Sequence, residues 1–174
     1  RIEARDCLVI DRHRVTLALR SFGAFSRYNA AAAAAAAWAM GLAPETICAG
    51  LAAHKPAMMR QESLPHPSGA SLVLDAYNAN PASMRASIEA FCEEFSTRSK
   101  TLILGDMKEL GPDSPKFHSE LGAWLAKLDL KAVYLAGPEM LPAAEALAAA
   151  KPGFAVEYAL NFTAWSSKIK TSLT

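Results

Sequence analysis

Apolar residues alternate along this chain, from residue 70 onward, between short continuous runs and stripes at spacings of three and four. Leu72, Val73 and Leu74 form one run. It ends on Asp75, passes through a polar turn containing Tyr77, Asn78 and Asn80, and meets Pro81, where a stripe of Met84, Ile88, Phe91, Cys92 and Phe95 begins. The spacing predicts a strand over 70–77 and an amphipathic helix over 81–95. Further runs at 101–104, 132–135 and 155–158 read as strands, and 114–128, 141–150 and 162–169 read as helices. The stripe of the 114–128 helix is Phe117, Leu121, Trp124, Leu125 and Leu128. Alternation of this kind implies an α/β fold, a mainly parallel sheet with helices on both faces.

Upstream, 7–10 and 15–19 read as two strands around the polar residues 11–14, with His13 solvated in the turn. Eight consecutive alanines, Ala30 to Ala37, dominate a helix over 28–40 that Gly41 ends, and so smooth a surface suits close packing. A second helix over 44–54 starts near Pro44 and buries Ile47, Leu51 and Ala52. Lys55 and Pro56 break the periodicity, which puts a domain boundary between residues 1–56 and 57–174. Beyond it, 61–66 and 70–77 read as two strands around Pro67, Ser68 and Gly69.

Composition narrows the function classes. With 52% hydrophobic residues in a chain of 174, one full domain and a further piece can be buried. A net charge of +1 without a basic stripe argues against a nucleic-acid partner. Cys7, Cys48 and Cys92 are widely spaced and odd in number, giving neither a disulfide framework nor a zinc pattern. They read as small buried hydrophobes in a reducing cytosol. No apolar run is long enough to span a bilayer, so a soluble protein without membrane insertion is expected.

The candidate chemistry lies at two strand-to-helix turns. A strand running straight into a helix places its last side chains near the helix's free N–H groups, at the sheet edge where α/β proteins usually bind ligands. Asp75, Tyr77, Asn78 and Asn80 occupy the first turn. Asn80 suits the N-cap position ahead of Pro81, and capping and ligand contact both stay open for it. The second turn, residues 105–111, is expected beside the first, because successive strands of a βαβ unit usually neighbour one another. Its Asp106 and Glu109 are candidates to hold a cationic amine; the competing roles are loop hydrogen bonding for Asp106 and solvation for Glu109. His118 either points to the site or packs, and Arg85 with Glu89 reads as a solubilising pair one turn apart.

The order DAYNANPASM, LILGDMKELG, SPKFHSELG resembles the C-terminal domain of the Mur ligases. RYNAAAAAAAAWAMGL and ETICAGLAAHKPAMMRQE are similar to the end of that family's central ATPase domain and its link into the C-terminal one. The resemblance implies a Rossmann-like C-terminal domain over 57–174, incomplete at its C-terminus, preceded by the end of an ATPase domain over 1–56. The motifs are most similar to those of members that join D-alanyl-D-alanine to UDP-N-acetylmuramoyl-tripeptide. That reaction is an ATP-dependent amide formation of peptidoglycan synthesis, through an acyl phosphate. ATP and Mg2+ are the implied cofactors, the tripeptide nucleotide and the dipeptide the implied partners, and a cytoplasmic monomer the implied state.

Carried over by position, Asn29 matches an asparagine that opens the alanine-rich helix near the nucleotide. Arg60, followed by Glu62, matches a linker arginine that reaches toward the nucleotide phosphates; the competing role is a surface ion pair with Glu62. Asp75 with Tyr77, Asn78 and Asn80 matches the C-terminal nucleotide and closure site, where a carboxylate suits a ribose hydroxyl or the orienting of a neighbouring donor. The chain departs from the pattern at Phe25 and Ser26, where relatives carry a histidine and an asparagine. Phe25 can stack on adenine but does not replace a histidine's hydrogen bonds, and Ser26 is only a shorter substitute. No G-x-x-x-x-G-K-S/T phosphate loop occurs, since none of the nine glycines precedes a lysine. The piece alone is therefore expected to be inactive, with magnesium ligands mostly outside it. Another ligase of the superfamily, or a nucleotide-binding or interaction module without catalysis, stays open as an alternative.

Overall fold

The computed structural model describes residues 2–4, 7–10 and 12–165. β1 (Ile2–Ala4), β2 (Cys7–Ile10) and β3 (His13–Thr16) form an antiparallel sheet in that order. Ile10 stands opposite His13, so a two-residue connection closes the hairpin, and the third strand begins and ends earlier than the 15–19 run predicts. His13 is accordingly an exposed strand residue, not a turn residue.

α1 (Gly23–Ala39) also begins earlier than expected, because its N-cap, Phe22, makes no capping bond and leaves no sequence signal. Its end follows the prediction. Gly41 adopts φ +86, with its N–H donating to the Trp38 carbonyl and the Leu42 N–H to the Ala37 carbonyl, a Schellman arrangement. Within the alanine block, Ala30 and Ala34 are buried and Ala31 and Ala37 pack beside them, against Leu8, Ile10, Leu17 and Ile47. The smooth face is thus a narrow stripe, and the remaining alanines supply helix propensity alone. α2 (Pro44–Ala53) buries Pro44 and Ile47, with Leu51 and Ala52 half-buried.

A second hydrophobic cluster lies between the later strands and helices. β4 (Glu62–Pro65) and β5 (Ser71–Leu74) pair antiparallel, Glu62 opposite Leu74. β6 (Thr101–Gly105), β7 (Ala132–Ala136) and β8 (Val156–Ala159) form a parallel sheet in chain order. α3 (Pro81–Glu94), α4 (Ser114–Leu125) and α5 (Leu141–Ala150) flank it. Leu102, Val133 and Leu135 of the sheet, Met84 and Ile88 of α3, Leu121 and Leu125 of α4, and Leu147 of α5 make the core. The α/β class holds, with one difference: β5 spends its pairing on β4, and no ladder joins β5 to β6 among the described residues. A four-residue apolar run does not encode its partner. Arg98, beyond α3, ties the hairpin to the helix by donating to Ser71 Oγ at 2.9 Å and the Gly69 carbonyl at 3.0 Å.

α4 and α5 cross so closely that a Cβ on Gly122 would lie 2.1 Å from the Ala143 carbonyl oxygen. Lys100 is 4% exposed and satisfied by the Arg98 carbonyl at 3.1 Å and by Asp129 at 3.5 Å. The three cysteines are free and half-buried, less enclosed than expected. A 3-10 turn, Phe162–Trp165, opens the last expected helix; the remainder of 162–169 lies outside the described residues. Among the described residues no helix is long and apolar enough to cross a membrane.

The two clusters meet where α1 starts. Gly23 lies so close to Ala90 of α3 that a Cβ there would come within 2.5 Å of the alanine methyl. Phe22 and Phe95 stack edge to face at 5.9 Å, and Ser26 Oγ donates to Gln61 Oε1 at 3.1 Å.

Candidate functional site

The first turn is built on a capped helix start. Asn80 Oδ1 accepts from the Ser83 N–H at 2.9 Å, and Ser83 Oγ accepts from the Asn80 N–H at 3.1 Å, a reciprocal cap ahead of Pro81. Capping is therefore what Asn80 does in the free protein. Asn78 is exposed, and so is Tyr77, whose ring lies under the Arg60 guanidinium at 4.3 Å. That cation–π contact takes the place of the ion pair with Glu62, whose carboxylate instead accepts from the Met59 N–H. The Met59 carbonyl accepts from the N–H groups of Ala76 and Tyr77, stitching the linker to the turn. Met59 and Gln61, on either side of Arg60, have φ of 60 and 48, a left-handed conformation costing non-glycine residues about 1 kcal/mol or more each.

Asp75 is not at the helix start. Its Oδ2 accepts from Ser87 Oγ at 2.5 Å, and Ser87 lies roughly 10 Å along the helix axis from Asn80. Ser87 and Ala90 share one face of α3, and Ala90 is the residue that meets Gly23. Asp75 thus borders the junction of the two clusters, as does Arg60, whose neighbour Gln61 binds Ser26. Across that junction, α1 carries exposed Phe25, Tyr28 and Asn29; the Ser26 hydroxyl is already engaged by Gln61.

The second turn is a closed polar network. Asp106, its side chain 7% exposed, accepts from Lys108 Nζ at 2.7 Å and from the Glu139 N–H at 3.1 Å. Lys108 also donates to Glu139 Oε1 at 3.0 Å, and Glu139 Oε2 accepts from Ser114 Oγ at 2.5 Å. The Asp106 bond and then the Glu139 bond hold the Lys108 ammonium above the usual lysine range. The Ser114 bond, then Lys108, hold Glu139 below the usual carboxylate range. His118 is fully buried: Nε2 accepts from the Met107 N–H at 3.1 Å and Nδ1 donates to the Ser114 carbonyl at 2.8 Å, which fixes a neutral imidazole. The ring packs and braces the turn. The cation that Asp106 holds is the protein's own Lys108, and the backbone group it accepts from is the Glu139 N–H beyond β7, not one of its own turn. Glu109 is exposed at φ 64.

Sequence reasoning missed Lys108, Ser114 and Glu139. Glu139 follows β7, the central strand of the parallel sheet, so applying the strand-end rule to β7 as well as β5 and β6 points to it. The start of α3, just past the first turn, faces the second turn, though β5 and β6 are not paired among the described residues. Pro81, Ala82 and Arg85 of α3 face Met107, Phe117 and Glu120 across a cleft of about 250 Å³. Arg85 reaches Trp124, 5.2 Å from its ring, instead of Glu89. Residues 85 and 87 lie on different flanks, so α3 stands between this cleft and the Ser87–Asp75 contact. Among the described residues no group of three or more acidic, imidazole or thiol side chains could hold a metal ion.

A family model, Mur ligase, glutamate ligase domain, matches residues 59–173. The UDP-N-acetylmuramoyl-tripeptide--D-alanyl-D-alanine ligase of Bacillus subtilis is 41% identical over 109 residues, covering 63% of this chain and 24% of that protein. The enzyme of the same name from Treponema pallidum is 40% identical over 119 residues, covering 67% and 25%. Among solved structures, MurF from Acinetobacter baumannii superposes with a TM-score of 0.80 at 27% identity, covering 96% of this chain and 35% of that one. MurF ligase from Thermotoga maritima, solved in complex with ADP, shares the fold with a TM-score of 0.74 at 24% identity. The chain spans about a quarter of the length of the curated relatives it matches. With the family match running through both polar turns and the helices that carry them, the chain belongs to the Mur ligases, in their glutamate ligase domain.

Proposed function

We propose that residues 57–174 are the C-terminal domain, and residues 1–56 the end of the central ATPase domain, of an ATP-dependent amide ligase that joins D-alanyl-D-alanine to UDP-N-acetylmuramoyl-tripeptide. The names of the similar proteins support this reading. One observation carries it: Arg60 on the Tyr77 ring and Asp75 on Ser87 both border the junction where α1 meets α3. A ligase with three reactants gains on the order of 7 to 11 kcal/mol from positioning alone, and a site split between two lobes admits substrates before it excludes water.

In this reading Arg60 holds phosphate oxygens and Asp75 a ribose hydroxyl. Asn29 and the exposed rings of Phe25 and Tyr28 border the base, and Tyr77, Asn78 and Asn80 complete the nucleotide rim. The Asp106 turn serves the incoming amine. Two carboxylates against one ammonium leave the Asp106, Lys108 and Glu139 cluster net negative, and exposed Glu109 adds to that field. Magnesium accompanies ATP with ligands outside the described residues, and no step is assigned to it. The protein acts as a cytoplasmic monomer.

In the full-length protein, ADP release is expected to require both the tripeptide nucleotide and D-alanyl-D-alanine. Arg60→Ala and Asp75→Ala are each expected to lower kcat/KM roughly 10- to 100-fold, the scale of one hydrogen bond to a charged group, with unchanged thermal stability. Unaltered turnover in both variants removes the site assignment.

A further inference from the structure

An exposed carboxylate at a strand end ordinarily samples several rotamers. At Asp75 one oxygen is fixed. Ser87 Oγ–H donates to Oδ2 at 2.5 Å, while Oδ1 takes no hydrogen bond from the protein among the described residues. The donor itself is rigidly placed, because Ser87 is half-buried in the second turn of a helix closed at its start by the Asn80 and Ser83 cap. One turn further along the same face, Ala90 meets Gly23 at the junction of the two clusters. An acceptor oxygen held beside that junction, with its partner oxygen anchored, is complementary to a hydroxyl donor on a ligand.

We propose that Ser87 is a positioning residue: it anchors Asp75 Oδ2 so that Oδ1 accepts a hydrogen bond from a ribose hydroxyl of the nucleotide. The proposal rests on the nucleotide reading of Asp75 given above. The competing role, a tie between β5 and α3, makes a different forecast. Alanine is the better helix former, so Ser87→Ala loses little stability in either case, and a mere tie leaves nucleotide affinity untouched.

The test is steady-state kinetics on the full-length protein with ATP varied and both other substrates saturating, alongside calorimetric titration with ADP. Ser87→Ala is expected to raise the ATP KM and the ADP Kd by roughly three- to tenfold, the scale of one ordinary hydrogen bond, with kcat little changed. Ser87→Thr keeps the hydroxyl and stays near wild type, and the Ser87→Ala, Asp75→Ala double variant matches Asp75→Ala alone. An unchanged KM and Kd in Ser87→Ala, with both raised in Asp75→Ala, overturns the positioning role by itself. If Asp75→Ala also leaves both constants unchanged, the nucleotide reading of Asp75 falls with it. A threonine variant as impaired as the alanine one overturns the role of the hydroxyl.

Discussion

Replacing His118 by alanine removes a fully buried ring, the acceptor of the Met107 N–H and the donor to the Ser114 carbonyl. An orphaned buried amide and an unfilled cavity together cost about 2–5 kcal/mol. His118→Ala is therefore expected to lower the urea midpoint with an unchanged m-value; a midpoint equal to wild type would show that the turn does not need the ring. At this scale the sequence places residues on elements but says little of their partners. His118 is recognisable as a helix residue beside an apolar stripe. Its bond to Met107, and the capture of Asp106 by Lys108, are not. Lys108 is two residues from Asp106 but is positioned by Glu139, 31 residues further on, and only the folded sheet brings the three together. Asn80 was readable because capping chemistry is local: an asparagine before a proline and three residues before a serine contains its own partners.

At the scale of elements, that cap is itself testable. Asn80→Ala leaves the Ser83 N–H unpartnered at the start of α3 and is expected to cost about 1 kcal/mol, read as a lower melting temperature. Asn80→Asp keeps the acceptor and should hold stability at the wild-type level. Helices with long stripes, α3 and α4, were legible to within a few residues because a period of 3.6 sustained over ten or more positions has few competitors. Shorter signals fared less well. α1 begins on residues with no cap and no stripe, and β3 is shifted because a two-residue turn replaces the four polar residues that looked like a loop. β5 has the composition of a parallel-sheet strand yet pairs with β4, because pairing depends on what the hairpin at 65–71 folds back against.

Across the whole molecule, the cluster at the second turn couples stability to pH. Glu139 is held below its ordinary value, first by Ser114 and then by Lys108, so its contribution is present above that ordinary value and lost as pH falls through the depressed one. Lys108 is held above its ordinary value, first by Asp106 and then by Glu139, so its contribution is present below the ordinary lysine value and lost as pH rises through the raised one. Urea midpoints of wild type and Lys108→Met are expected to differ across the neutral range and to converge at both extremes. A difference independent of pH would mean that the ammonium contributes packing alone. The effect should be modest and shrink with salt, since Lys108 is largely in water.

The stitched linker has one more result at this scale. The Met59 carbonyl is bonded to two amides of the first turn, and Arg60 rests on the Tyr77 ring. The guanidinium is therefore tied to the first turn, and any displacement of that turn carries it along. Were the domain proposed for residues 57–174 to swing about the chain at residues 54–57, its positive charge and its polar rim would move as one, and on the nucleotide reading proposed above neither could dock without the other.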